Sequence, residues 1–303
     1  MVQHRSWYRR VWFGFLDYAR RVWDNSGEDN IFFLASGISF NILLAIVPFL
    51  LLFATSLTYL LNQSTAAATA EITDLLDRFL PPGAEAGPEF AAQTITDIIK
   101  ARGAVSLYAA ISFIWFSTRL FGSLRSVLAA IFDIEVDRGI VDGKVFDVKV
   151  TVVSSFLFVV YTALSGYLAI ASTRGVAVLA ALGIRHDVMG GLEYAIGRLV
   201  AFVFIAFFFY GLYKFLPYKK IRWQTALVAC LFTGVMFEAA RSAFAIYVRS
   251  FHPGSMYIGT VATLIILILW IYYAACVFIL GGEIAQVYEL RHMRRRQHEA
   301  FED

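Results

Sequence analysis

The sequence predicts an all-α, polytopic membrane protein with six transmembrane helices and both termini in the cytoplasm. Of its 303 residues, 59% are hydrophobic and only 16% are charged, whereas soluble domains carry about 25% charged residues. Six apolar segments are each long enough to approach or exceed the length that crosses a hydrocarbon core of ~30 Å as a helix. Lysines and arginines are concentrated in the N-terminal segment, the second and fourth connections and the C-terminal tail. Because basic residues favour the cytoplasmic side, this alternation predicts the orientation.

The first element, within residues 1–30, is predicted to be an amphipathic helix. Apolar residues recur there at helical spacing and arginines border the face that they form, a pattern typical of helices in the lipid headgroup layer. The alternative is a helix packed beneath the membrane domain. A continuous apolar core with a cleavage site is missing, so we do not expect a signal peptide. The apolar face comprises Trp7, Tyr8, Val11, Trp12, Phe15, Ala19, Val22 and Trp23.

Residues 31–288 form the predicted transmembrane domain, and residues 289–303 form a charged cytoplasmic tail. The six spans are residues 31–61, 104–120, 150–173, 198–216, 225–248 and 257–287. An acidic segment, about 62–103, separates the first two spans. Two short amphipathic stripes in this segment flank the breaker PPGAEAGP at 81–88. We therefore expect a helical extracytoplasmic loop.

A glutamate and an arginine lie three residues apart in the fifth span. Counting ~1.5 Å per residue from the cytoplasmic end places Glu238 about 20 Å and Arg241 about 24 Å into the span. Burying an ionisable group there costs at least ~2.5–3.5 kcal/mol, so such groups are candidates for a substrate or ion pathway. The alternative is a local pair, at i and i+3, that neutralises itself between helices.

Four further residues complete the candidate pathway. Asn41 and Pro48 lie near one face of the first span, which is either a kinked, tightly packed helix or a flexible helix that lines a cavity. Arg119 lies about 22 Å from the outer end of the second span, where it either extends to the cytoplasmic interface or points into the bundle. Glu283 follows two consecutive glycines in the sixth span; the glycines permit close helix packing or loosen a gate.

Two other patterns indicate which helix faces point inward. The third span carries a stripe of small and hydroxylated residues that includes Thr151 and Ser155. Such a stripe faces protein, either for close packing or around a polar lumen. In the sixth span, Trp270 lies mid-span, which indicates aromatic contacts inside the bundle rather than an interfacial belt.

Catalytic and metal-binding motifs are missing from the sequence. It contains no HExxH, CxxC, GxxxxGK[ST] or GxSxG spacing. Cys230 and Cys276 both lie in apolar segments and are predicted to be buried thiols. We therefore expect no enzyme activity, no cofactor, no metal site and no nucleic-acid partner.

Four blocks of the sequence, taken in order, resemble a known family. They are ASGISFNILLAIVPFLLLF (35–53), WFSTRLFGSLRSVLAAIFDIE (115–135), GLYKFLPYKKIRWQTALVACLFTG (211–234) and YIGTVATLIILILWIYYAACVFILGGEIAQVY (257–288). Together they resemble the BrkB/YihY family of bacterial inner-membrane proteins, once labelled ribonuclease BN. The resemblance implies six transmembrane helices in the bacterial cytoplasmic membrane and a transport or envelope role. The residues in places characteristic of the family are Pro48, Arg119, Pro217, Trp270, Gly282 and Glu283.

One departure from the family pattern lies in the first span. This chain has Ser39-Phe40-Asn41 where relatives often carry paired tyrosines, which puts in doubt any role that rests on a tyrosine hydroxyl there. The ribonuclease label finds no support, because nothing in the sequence resembles a metal-nuclease cluster.

The leading functional hypothesis is a transporter or flippase-like carrier of an anionic or amphipathic solute or lipid, using a polar intramembrane cavity. Arginine suits phosphate and carboxylate groups because its planar fork binds two oxygens at once. Glu238 would add proton coupling if burial favoured its neutral form. The alternative is a non-transporting structural or assembly factor of the envelope, in which Glu238 and Arg241 hold helices together. The expected partners are membrane lipids and an anionic solute or lipid.

Overall fold

The computed structural model describes residues 3–60, 104–135, 139–181, 186–250 and 256–302. The described residues form seven helices, which confirms the all-α prediction for this part of the chain. The helices are α1 (Gln3–Glu28), α2 (Ile31–Leu60), α3 (Ala104–Ile131), α4 (Ile140–Ala181), α5 (His186–Phe215), α6 (Trp223–Ser250) and α7 (Met256–Glu302). The predicted helical loop at 62–103 lies outside the described residues.

Four helices contain stretches that are long and apolar enough to cross a membrane. These stretches are Ile31–Phe49 of α2, Leu107–Ile131 of α3, Trp223–Ala243 of α6 and Ile265–Arg294 of α7. A shorter apolar stretch, Phe202–Phe215, lies in α5. The structure therefore supports four of the six predicted spans.

Helices α2 to α7 form a closed ring in chain order. Each helix packs against the next one, and α7 returns to contact α2, so the last helix completes the ring. Helix α7 also contacts α3, across the ring, and α1 packs against α7. We refer to the end of the ring next to α1 as the α1 end.

Helix α1 binds α7 through one polar face. Tyr18 donates a hydrogen bond to the carbonyl of Ile284, and the Arg291 guanidinium lies 4.8 Å above the Tyr18 ring and 2.8 Å from the Asp17 carboxylate. Burial raises the pKa of Tyr18 to about 12 against the opposing effect of Arg291, so the phenol stays a donor at physiological pH. On the other side Trp23 is 80% exposed. The helix is therefore packed against the membrane domain and still presents an aromatic side chain outward.

Two non-glycine residues with left-handed backbone shape the α1 end. Asn30, with φ of 51°, joins α1 to α2, and Asp133, with φ of 49°, follows α3. Ile134 N donates to the Ala129 carbonyl at 2.9 Å and Asp133 N to the Ala130 carbonyl at 3.2 Å, which is the Schellman arrangement of a helix end. Asparagine and aspartate tolerate this conformation better than other non-glycine residues, which explains why these two residue types occupy the two turns.

Gly281, the first residue of the glycine pair of α7, makes the closest approach among the glycines that the structure describes. A methyl group on Gly281 would overlap the Thr233 hydroxyl and lie 2.6 Å from the Tyr213 oxygen. Tyr213 OH donates to the Phe278 carbonyl at 2.5 Å. Because a phenol has one proton, the Thr233 hydroxyl, 2.8 Å away, must donate to Tyr213. Of the two interpretations of these glycines, the structure therefore supports close packing.

Replacing Gly281 by alanine is expected to lower stability by about 1–3 kcal/mol, because the added methyl group overpacks the Tyr213–Thr233 contact. Gly211→Ala in α5 is the matched control, since nothing lies within 4 Å of a methyl group there. Alanine is intrinsically the better helix former by ~1 kcal/mol, so the control is neutral or stabilising. Thermal unfolding in detergent measures both variants. Equal melting temperatures for Gly281→Ala and the parent chain would contradict this packing.

Candidate functional site

A chamber of about 360 Å³ lies inside the ring, between the apolar stretches of its helices. Five consecutive helices, α2 to α6, supply its described wall. The lining residues are Ile42, Ala45, Ile46, Phe49, Phe113, Ser117, Leu120, Phe121, Thr151, Ser154, Ser155, Phe158, Phe204, Ile205, Phe208, Phe209 and Phe237. This volume is in the range of small-molecule sites, ~300–1,000 Å³.

Phenyl rings dominate the chamber wall. The Phe49 ring lies with its centroid 5.1 Å from that of Phe158, edge to face, and 5.8 Å from that of Phe113. On the opposite wall, Phe209 of α5 meets Phe237 of α6 edge to face at 6.2 Å. Phe237 also contacts Trp270 at 5.3 Å, and Trp270 is buried, which confirms the prediction of aromatic contacts inside the bundle.

The described wall of this chamber is not that of a polar cavity, and the predicted polar cavity stays a prediction. Its described wall is apolar apart from the hydroxyl residues Ser117, Thr151, Ser154 and Ser155. The Thr151 hydroxyl donates to the Asp147 carbonyl of its own helix at 2.8 Å, so it cannot donate a hydrogen bond to a group in the chamber at the same time. Thr151 and Ser155, the described members of the predicted stripe on α4, do face inward, as predicted. The Thr151 hydroxyl adds no free donor to the chamber, because a helix carbonyl one turn away satisfies it.

None of the six predicted pathway residues lines the chamber. Glu238 and Arg241 are both half-buried on α6, one and four residues beyond the lining residue Phe237. Arg119 is exposed on α3, on the outer side of the ring.

The other three predicted residues occupy different environments. Pro48 is buried within α2, next to the lining residue Phe49, and the helix continues through it. Asn41, also on α2, donates to the Gly37 carbonyl of its own helix at 2.9 Å. Glu283 is 0% exposed, near the α1 end of α7. The structure therefore does not bring the six residues together at one site.

A buried ion pair between α3 and α4 is the feature that the sequence did not reveal. Arg125 Nη2 lies 3.6 Å from Asp147 Oδ2, and their side chains are 11% and 0% exposed. Gly143 makes room for the guanidinium, because a methyl group there would lie 2.7 Å from Arg125 Nη1. Gly122 similarly leaves room for the Asp147 carboxylate, 3.3 Å from where its methyl group would be. The sequence did carry one signal for this pair: each of the two helices has a glycine, Gly122 or Gly143, within one turn of its charged residue.

The ion pair lies next to the chamber, on the side of the α1 end. Arg125 follows the lining residue Phe121 by four positions, and Asp147 precedes the lining residue Thr151 by four. Four residues of helix rise by about 6 Å. One helical turn therefore separates an apolar chamber from a buried charge pair.

A second polar group, the carboxylate cluster of Asp29, Asp133 and Glu283, lies at the α1 end. Both aspartates are close enough to Glu283 to act on its charge. Gln286 donates to Asp133 Oδ2 at 2.9 Å and accepts from Asn25 at 2.9 Å. Within the described residues, no three acidic, cysteine or histidine side chains are arranged to hold a metal ion.

Arg125→Gln is expected to lower stability by about 3–5 kcal/mol, because Asp147 then loses the cation beside it in a buried position. Replacing both partners by leucine should cost less than the single change, since no buried charge is left from the pair. The control is Arg20→Gln, which removes an exposed pair with Asp24 at 3.9 Å and should cost about 0–1 kcal/mol. Unfolding in mixed micelles measures all three. A loss for Arg125→Gln no larger than for Arg20→Gln would contradict the buried pair.

Several known proteins are similar to this chain, and each is described as a UPF0761 membrane protein. One from Pseudoalteromonas atlantica is 23% identical over 273 residues, covering 90% of this chain and 86% of that protein. A shorter match, to a protein of Kangiella koreensis, is 32% identical over 111 residues, or 37% of this chain. A Vibrio cholerae protein is 29% identical over 99 residues, or 33% of this chain. These two shorter matches span only 27% and 33% of the relatives' own length.

No solved structure matches the chain. A family model described as "Virulence factor BrkB" matches residues 22–303. This match includes the described helices α2 to α7 and the last residues of α1, from residue 22 onward. The chain therefore belongs to the BrkB family of membrane proteins.

Proposed function

We propose that this protein is a lipid carrier of the bacterial inner membrane, transporter-like or flippase-like, whose chamber accommodates the hydrocarbon part of an amphipathic lipid. The observation that supports the proposal is the apolar wall of the chamber, which α2 to α6 build and to which α2, α3 and α6 contribute residues of membrane-spanning stretches. In this proposal all six ring helices cross the membrane, and the α1 end faces the cytoplasm, because the basic connections lie there.

The energetics of transfer favour a hydrocarbon chain over a free anion as the occupant. Lipid tails are as apolar as leucine side chains, so a chain that moves from the bilayer into the chamber changes little in solvation free energy. A charge brought to the same depth costs at least ~2.5–3.5 kcal/mol. No basic residue is among the described residues of the wall to offset that cost. Of the expected substrates, the amphipathic lipid therefore fits and the small anionic solute does not.

The chamber also gives the lipid a defined orientation. An apolar cavity binds apolar groups and excludes water, so the chain occupies the chamber and the headgroup lies beyond it. Arg125 and Asp147 are the charged groups one helical turn away, toward the α1 end. A polar headgroup placed there would lie beside charged groups rather than in the apolar chamber.

The non-transporting envelope factor is the second candidate. It is favoured by the exposed Trp23 on α1, whose side chain is available for a partner in the envelope. The two proposals differ in what the chamber does: a structural factor needs no chain in it, and a lipid carrier does.

Ser155→Phe is expected to reduce the lipid that copurifies with the protein and to slow lipid movement across proteoliposome membranes, because the added ring occupies the chamber. Val152→Phe is the matched control, since Val152 lies three residues away on the exposed face of α4. Native mass spectrometry measures the bound lipid, and a fluorescent-lipid accessibility assay measures its movement. Both variants must first elute as folded protein.

Equal lipid occupancy and movement in the two variants would contradict the lipid-carrier proposal. If the parent chain retains no lipid and moves none, the structural factor becomes the better candidate.

A further inference from the structure

We propose that Glu283 and Asp29 form a proton-binding site at the α1 end, where one proton bridges their carboxyl groups. The site is separate from the chamber, and the proposal stands whether or not the chamber binds lipid. It assigns a role to a fully buried acid that the lipid proposal does not use.

The surroundings of Glu283 do not suit an ionised carboxylate. Its side chain is 0% exposed, and neither carboxyl oxygen has a hydrogen-bond partner of ordinary length. Removing an ion from water costs several kcal/mol even after relaxation, unless a partner compensates. The acids near Glu283 are Asp29, from the α1–α2 connection, and Asp133, from the end of α3. Both would repel a second negative charge.

The hydrogen-bond donors around Glu283 are already used by other groups, which indicates that its missing partner is a proton. Asp133 already accepts from Gln286, and the amide oxygen of Gln286 accepts from Asn25. Neither oxygen of Glu283 has a donor among the described residues, and two ionised carboxylates such as Asp29 and Glu283 are acceptors only. If one of them carries a proton, it becomes a donor to the other. The proton therefore supplies the donor that the described residues do not.

A metal ion or a lysine does not fill the same role. Within the described helices and connections, no group of three ligating side chains has the arrangement of a metal site. Lys219 and Lys220 line a neighbouring cavity of about 130 Å³ together with Asp133 and Gln286. Both lysines are exposed, and the structure describes no ion pair between either of them and Glu283.

The packing of α7 prevents Glu283 from turning toward water. The preceding residue, Gly282, lies against α3, where a methyl group would be 3.0 Å from Ile131 Cδ1. The following residue, Ile284, holds α1 through its carbonyl. Asp29 directly precedes Asn30, whose left-handed backbone sets the start of α2. The shared proton would therefore connect α7 to the link between α1 and α2.

The proposal predicts how stability changes with pH. The folded chain holds a proton on this pair that the unfolded chain has released above the ordinary carboxyl range, near pH 4. Because the folded state binds more protons, stability falls as pH rises. The unfolding equilibrium constant should then increase up to about tenfold per pH unit while the proton is retained. Tyr18, which also joins α1 to α7, does not contribute in this range, because burial raises its pKa to about 12.

Glu283→Gln tests the site, because glutamine supplies its own donor to Asp29 without a titratable proton. We expect this variant to be as stable as the parent chain at high pH or more so, and to lose the pH-dependent component. Glu28→Gln is the matched control, since Glu28 is exposed one residue before Asp29; it should keep the parent's pH dependence. Chemical unfolding in detergent across about pH 5–8 gives the slopes.

Infrared difference spectroscopy reads the proton directly. The parent chain and Glu28→Gln should show the carbonyl stretch of a protonated carboxylic acid at neutral pH, and Glu283→Gln should lack it. Absence of this band in the parent chain, or its persistence in Glu283→Gln, would overturn the proposal. A band that appears only after a chelator is added would overturn it too, because a metal ion would then be the ligand.

If Glu283→Gln does not fold, Asp29→Asn provides the same test from the other side. The amide of asparagine would donate to Glu283, so the proton would be released at lower pH than in the parent chain. An unchanged infrared titration in Asp29→Asn would overturn the bridging proton.

Discussion

The close contact of the α7 backbone with α5 and α6 is the constraint on which the rest of the structure depends. Gly281 leaves space for the Tyr213 and Thr233 hydroxyls, and these join the three helices through the Phe278 carbonyl. This contact fixes the position of α7, which completes the ring and also holds α1. The same turn of α7 carries Glu283. This one close contact of the α7 backbone therefore closes the ring, positions the helix against which α1 packs and keeps Glu283 buried.

Polar and apolar groups are separated along the ring. The chamber occupies the middle, where its wall has hydroxyls but no charges among the described lining residues. The charged groups of the interior, Arg125–Asp147 and the carboxylate cluster, lie toward the α1 end. Charges are costly at mid-membrane depth and less so near an interface. The separation suits an amphipathic ligand, whose chain and headgroup need these two environments in the same order.

Much of the fold follows from sequence periodicity and much of the interior does not. The helices, the inward face of α4 at Thr151 and Ser155 and the buried position of Trp270 could be predicted, because a helix face is a local property. The Arg125–Asp147 pair could not, because its members lie on different helices and neither position is unusual alone. Whether the stripe of α4 borders a polar lumen could not be predicted either, because a hydroxyl stripe does not show whether its hydrogens bond their own helix, as that of Thr151 does.

Labelling with a photoreactive lipid shows directly whether the chamber holds a hydrocarbon chain. The chain is reconstituted in nanodiscs with a phospholipid whose acyl chain carries a diazirine, and the labelled residues are identified by mass spectrometry. Phe156 and Phe207 are exposed on the outside of the ring and should be labelled in any case by the surrounding bilayer. Phe158 and Phe208 line the chamber, and if the chamber holds an acyl chain they will be labelled as well. Labelling of the two outer residues without the two inner ones would contradict a chamber occupied by an acyl chain.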